Sequence, residues 1–257
     1  LALFVNACGK SDAPDNREYV VKEIYYDDVL RSSFEYNSNW QVTTSTYNFA
    51  VGPHDWARQT TSYTYNSDGQ LVKTEMVNTV VNSPKLNDVR TEYTYNSQGQ
   101  LFQAKAYKLN TGELLYADEY TYNGQTIVQT HSIPSGVGYK ATVMLDNSGN
   151  IVERVETKDT SSTPYLTEKW LNYDDKKNIA GPNAGTTVSE FIKPIIGGVM
   201  SKNNFRRYSA HYHDPIMVGP DETSCEYSYS QAGYVINRKT IRSTIVDNIK
   251  FVLIPKE

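Results

Sequence analysis

The stretch Tyr63-Thr64-Tyr65-Asn66-Ser67-Asp68-Gly69-Gln70-Leu71 returns as Tyr93-Thr94-Tyr95-Asn96-Ser97-Gln98-Gly99-Gln100-Leu101. Tyr63 and Tyr65 stand two apart, so on a pleated strand they share a face. Asn in first place and Gly in fourth suit a type I turn closed by a left-handed glycine, which accepts positive φ because it has no Cβ. Leu71 then opens the return strand. One copy is therefore one β-hairpin.

The frame continues in both directions. Tyr120-Thr121-Tyr122-Asn123-Gly124-Gln125 is a shortened copy. Val143 to Ile151 and Tyr227 to Val235 are weaker ones, and Phe34 to Val42 and Leu171 to Ile179 keep the frame without the glycine. The second aromatic or aliphatic residue of each copy falls at 36, 65, 95, 122, 145, 173 and 229, in steps of 23 to 30 except a last step of 56. That last step spans two periods. One copy is therefore expected to have given way to an irregular insertion over 180–204, with Gly181-Pro182, a predicted short helix over 187–192, Pro194 and Gly197-Gly198. Its apolar residues Phe191, Ile192 and Ile196 are expected to fold back against the inner face of the sheet, since exposed apolar clusters are rare. Two strands per period, with further strands at each end, predict an all-β antiparallel meander of about 14–16 strands. A sheet that wide curls or closes into a barrel-like form.

Composition agrees. The 257 residues hold 21 Tyr against 7 Phe, and Tyr suits a thin sheet because its ring packs while its hydroxyl reaches a partner or water. The net charge of −4 is spread in both signs, with no basic stripe, so nucleic acid is not an expected partner.

Leu1-Ala2-Leu3-Phe4-Val5-Asn6-Ala7-Cys8 is apolar and ends on a small residue before cysteine. It reads as the tail of a signal peptide. It resembles the lipobox of bacterial lipoproteins at Val5, Ala7 and Cys8, with Asn6 a departure, and the resemblance implies lipid attachment at Cys8. Residues 9–17 are polar and aperiodic, as a flexible tether would be. The expected organisation is a leader remnant over 1–8, a tether over 9–17 and one β domain over 18–257. No stretch approaches the roughly 18 apolar residues of a membrane helix.

The hairpin unit resembles the YD repeats of Rhs-type and teneurin-type proteins, in which Tyr-x-Tyr-Asp precedes a Gly-Arg-Leu-like turn. Asn66 and Asn96 stand where that pattern has Asp, and Gln70 and Gln100 where it has Arg. A nearer likeness, across most of 18–257, is to lipoproteins of Bacteroides and relatives. These combine such hairpins with segments like Tyr173-Asp174-Asp175-Lys176-Lys177-Asn178 and Ser201-Lys202-Asn203-Asn204. That group is a domain of unknown function, and the likeness implies a porin-like fold and a cell-envelope location, without implying chemistry.

Candidate sites are few. His211 and His213 share a face if they lie on a strand, as a zinc or copper pair would, but a bound metal needs three or four converging ligands and no third is identifiable. Asp27-Asp28 and Asp174-Asp175 read as solvated turns. Cys225 reads as a small buried side chain. Trp40, Trp56 and Trp170 could stack on sugars, against the alternative that they serve the sheet's own packing. Nucleophile-elbow, phosphate-loop and dinucleotide motifs are absent, and no cofactor is expected. The leading expectation is a noncatalytic, monomeric envelope lipoprotein that binds a glycan or another envelope protein and meets the membrane through its anchor alone. The rivals are a carrier of an apolar ligand in a half-barrel, a hydrolase, and a true outer-membrane porin, whose strands would need an apolar lipid-facing alternation. The row Leu71-Lys73-Glu75 speaks against a continuous apolar inner face.

Overall fold

The hairpin loops carry the architecture. In the loop after Tyr65, Asn66 N–H donates to the Gln70 carbonyl at 2.9 Å and Gly69 N–H to the Asn66 carbonyl at 3.1 Å, with Gly69 at φ 78°. This is the expected type I turn with a left-handed fourth residue. The same backbone pair closes the loops that begin at Asn37, Asn96, Asp146 and Ser230. Side chains then lock the turn. Asn66 Oδ1 accepts the N–H groups of Asp68 at 3.1 Å and Gln70 at 2.9 Å, while its Nδ2 donates to Gln70 Oε1 at 3.0 Å. Gln70 Nε2 reaches on to the Gly99 carbonyl at 3.5 Å, as Gln41 Nε2 does to the Gly69 carbonyl at 3.1 Å. An aspartate could accept from the backbone but could not donate to the glutamine. Asn at this position therefore belongs to an amide chain that ties one turn to the next.

The computed structural model describes residues 17–50, 56–80, 88–134, 136–176, 195–196, 199–213 and 222–257. In chain order the strands are β1 (Tyr19–Tyr26), β2 (Val29–Tyr36), β3 (Val42–Ala50), β4 (Trp56–Tyr65), β5 (Leu71–Val80), β6 (Val89–Tyr95), β7 (Leu101–Lys108), β8 (Leu114–Asn123) and β9 (Thr126–Ser132). They continue as β10 (Tyr139–Leu145), β11 (Ile151–Lys158), β12 (Pro164–Leu171), β13 (Ile195–Ile196), β14 (Val199–Met200), β15 (Arg207–Tyr212), β16 (Thr223–Tyr229), β17 (Val235–Arg242) and β18 (Ile245–Pro255). Sixteen of them form one closed antiparallel barrel, and β13 and β14 form a separate two-stranded sheet. Closure is made by β1 on β18, from Tyr19 opposite Pro255 to Tyr26 opposite Ile249. The described residues include no helix. The helix expected over 187–192, with Phe191 and Ile192, lies outside them, and so do Cys8 and residues 9–16 of the tether.

A closed barrel has one inner and one outer face, and burial alternates accordingly. On β4, Ala57, Thr61 and Tyr63 are buried, while Arg58, Ser62 and Thr64 are exposed. The bulge after each turn resets this alternation. Tyr65 faces Leu71, but Thr64 faces Lys73. Leu71 thus joins the tyrosines inside, and Lys73 and Glu75 fall on the outer row. The expectation that Leu71 shares a face with Lys73 and Glu75 is overturned, because one extra residue separates them in register.

Two clusters fill the inner space at the turn end. One gathers Val21, Ile24, Phe34, Val42, Tyr63, Tyr234, Val235, Ile249 and Phe251. The other gathers Leu101, Ala104, Tyr120, Ile127, Val143, Ile151, Trp170, Phe205 and Cys225. Beyond them the inner row turns to small polar groups, with Ser32, Ser45, Thr61 and Thr74 buried. The described flank of the insertion docks at the turn end. Ser201 Oγ accepts the Ile151 N–H at 2.9 Å, Asn203 N–H donates to Asn150 Oδ1 at 3.0 Å, and Phe205 is buried in the second cluster.

Candidate functional site

The residues singled out from sequence do not converge. Trp170 is 3 % exposed, in the second core cluster, with its ring 5.5 Å from that of Tyr208. Trp40 occupies the fourth position of the β2–β3 turn at φ 58°, where other copies carry glycine, and its ring lies 6.3 Å from that of Tyr36. Trp56 pairs with Ala50 through its backbone, and its side chain lies outside the described structure. His211 and His213 are exposed with rings perpendicular at 4.6 Å, and His213 Nε2 lies 3.0 Å from Thr167 Oγ1. Among the described residues no group of three metal-ligating side chains forms. Cys225 is a buried free thiol. Asp27 and Asp28 form the two-residue β1–β2 turn at φ 45° and 64°, a left-handed pair suited to a hairpin.

Two polar assemblies were not flagged by sequence. The first is internal. Asp118 Oδ1 accepts from Gln129 Nε2 at 2.8 Å and lies 2.8 Å from His131 Nδ1. The His131 ring stacks on Tyr139 at 4.5 Å and lies 5.2 Å from Tyr116. Arg154 bridges Glu156 and Glu168, its Nη1 lying 2.8 Å from Glu168 Oε2. Tyr165 donates to Glu156, and Tyr208 donates to Glu168 Oε1 at 2.6 Å. Burial, followed by the Asp118 charge, pushes the Tyr116 hydroxyl up to about 12. Burial, then the Glu168 carboxylate, pushes Tyr208 well above its ordinary value. Each of these three carboxylates already has donors, so the assembly is spent on the protein itself. Satisfied networks of this kind hold a buried polar interior in one arrangement.

The second is a cleft of about 570 Å³ on the outer wall of β16, β17 and β18, against the β1–β2 turn. Register sets its floor. Glu226 faces Lys239, which faces Asn248; Ser228 faces Asn237, which faces Lys250. These are two parallel rows of three exposed polar side chains. The rows lie two residues apart along the strand, about 6.8 Å, and the strands are about 4.8 Å apart. The carboxylates of Asp27 and Asp28 bound one side. Asp27 Oδ1 accepts from the Asn248 N–H and Nδ2, both at 3.1 Å, which pins the turn to β18. Tyr227, Arg238 and Ile249 complete the floor. Here, unlike inside, donors and acceptors face solvent. The alternation of Asn237 with Lys239 and of Asn248 with Lys250 is visible in the sequence, but their meeting with Asp27 depends on barrel closure.

No model of a known protein family matches the chain, and no curated protein does. Among solved structures, the chain is similar to a porin-like protein from Bacteroides uniformis ATCC 8492, with TM-score 0.45, 11% identity and 94% of this chain and 99% of that one covered. It is also similar to a porin-like protein from Bacteroides vulgatus ATCC 8482, with TM-score 0.52, 12% identity and 91% of this chain and 98% of that one covered. The second likeness agrees with the topology described above: the fold is a closed antiparallel barrel of porin-like form.

Proposed function

We propose that the chain is a noncatalytic, lipid-anchored protein of the cell envelope that stands in water as a binding or scaffold module for a glycan or a protein. The observation that carries this reading is the outer charge ladder. Lys73 faces Glu92, which faces Lys105, and Glu75 faces Arg90. Further round, Glu153 faces Lys169 with a 3.3 Å ion pair, and Glu226 faces Lys239 with one of 3.4 Å. A lipid-facing wall could not hold these rows, since a Lys or Arg at the bilayer midplane costs about 2–4 kcal/mol.

The inner face supports the same reading. Porins of 16 strands leave an aqueous channel, whereas the turn end here is filled by two core clusters. A carrier of an apolar ligand fits less well, because Ser32, Ser45, Thr61, Thr74, Asp118 and Gln129 interrupt the inner row. The exit of the chain gives an orientation. Tyr19 faces Pro255 and its ring lies 5.5 Å from Tyr234, so β1 begins at the turn end. An anchor at Cys8 would hold that end towards the bilayer and leave the β1–β2 turn, with its cleft, towards the solution.

The test is the anchor itself. In the native host, mature protein should be recovered with the membranes and carry acyl chains on Cys8 by mass spectrometry, and a Cys8→Ala variant should appear in the soluble fraction. Membrane-bound protein with an unmodified Cys8 would contradict the reading.

A further inference from the structure

Within the cleft the polar groups are not equally committed. Glu226 is matched by Lys239 at 3.4 Å, and Asp27 is held by Asn248. Asp28, Lys250, Asn237 and Ser228 are exposed, and all four line the cleft. One anion and one cation are therefore available in the same concavity.

Their separation follows from register. Lys250 faces Tyr25, Ile249 faces Tyr26, and Asn248 holds Asp27. Asp28 follows next, so it lies two to three residues along the strand axis from Lys250, on the order of 7–10 Å. An extended chain spans at most about 3.3–3.6 Å per residue. Two or three residues would bridge the gap. A zwitterion meets two opposed charges with charges of its own, which a neutral sugar does not. Tyr227, the aromatic residue that lines the cleft, donates its hydroxyl inward to the Phe205 carbonyl at 2.6 Å.

Resting on the reading of the barrel as a binding module, we propose that this cleft takes a peptide of two or three residues by both ends. Asp28 receives the free ammonium, and Lys250 with Asn237 receives the free carboxylate. Asn248, between Lys250 and the β1–β2 turn, faces the intervening backbone, and Ser228 extends the row of Asn237 and Lys250. Charge-assisted hydrogen bonds at both ends supply the selectivity, because capping either end removes one of them.

The experiment is an amide-resolved NMR titration of residues 17–257. The probes are tri-alanine, its N-acetyl form, its C-terminal amide, and maltotriose. Tri-alanine should shift Asp28, Ser228, Asn237 and Lys250. Either cap, and either Asp28→Asn or Lys250→Met, should weaken binding by about tenfold or more. Capped peptides that bind equally well, or maltotriose shifting these residues in place of the peptide, would overturn the end-recognition while leaving the cleft a binding site. No shift with any probe would overturn the cleft assignment, while the anchor is tested separately at Cys8.

Discussion

Tyr95 donates its hydroxyl to the backbone carbonyl of Leu71 at 2.8 Å, across the seam where β5 and β6 have stopped pairing beyond Lys73 and Glu92. The second aromatic residue of other copies does the same. Tyr65 reaches Val42 at 2.9 Å and Tyr122 reaches Leu101 at 2.8 Å, whereas in the last copy it is the first tyrosine, Tyr227, that reaches a carbonyl, that of Phe205 at 2.6 Å. Tyr36 reaches Val21, and Tyr173 reaches Ile151. Bulges at the turn end open the ladder between hairpins, and a phenol closes it. That is why the repeat keeps Tyr where Phe would pack as well.

Removing one such hydroxyl should therefore destabilise the barrel. Tyr95→Phe should lower stability by about 1–2 kcal/mol, because it leaves the Leu71 carbonyl short of a donor. Tyr107→Phe, on the outer row under the Arg90 guanidinium, should change it by less than about 0.5 kcal/mol. Urea unfolding of both variants checks this, and equal midpoints would remove the seam role.

Glycine substitutions should separate two costs. Gly69 and Gly112 both have positive φ, at 78° and 71°, but a Cβ on Gly69 would meet Gln41 Nε2 at 3.2 Å, whereas one on Gly112 meets nothing within 4 Å. Gly112→Ala should cost about 1–2 kcal/mol for the left-handed backbone alone. Gly69→Ala should cost more, because it also crowds the amide that bridges two turns. Melting temperatures in the reverse order would show that the amide chain contributes nothing.

The unit hairpin, the strand number and the tendency to close were legible in the sequence, because turn chemistry and period-2 alternation are local. Gly69 and Gly99 announce their own conformation. What failed to show is what one residue of register decides. A turn of this type brings a bulge, but its place between Leu71 and Lys73, which exchanges their faces, is not marked by any periodicity in the sequence. The internal network of Asp118, His131, Arg154, Glu156 and Glu168 draws on four strands, and the cleft joins Asp27 to Asn248, which only closure brings together. Trp40 takes a glycine's place in the first turn of the series, where no earlier turn sends it a glutamine.

Acid should act through the β10–β11 turn. Burial pushes the Asp146 carboxyl up, but hydrogen bonds from Asn150, Ser148 and Gly149 outweigh it and hold the group below its ordinary 3.8. A depressed native value means that the stabilisation is present above the unfolded value and is lost as pH falls through the native one. Wild-type protein should be more stable than Asp146→Asn at neutral pH, with the gap closing as pH drops below 3.8. Urea midpoints between pH 7 and pH 2 read this directly. A gap that does not vary with pH would show that the carboxylate charge is not what the turn uses.

The central claim is that the wall of this barrel faces water. Residues 17–257 purified without detergent should run as a monodisperse monomer and produce no conductance steps in planar lipid bilayers at protein concentrations where a porin control inserts. A chain that aggregates without detergent and opens stepwise conductances in the bilayer would contradict it, and would mean that the rows from Lys73 to Lys105 and from Glu75 to Arg90 do not lie where the register puts them.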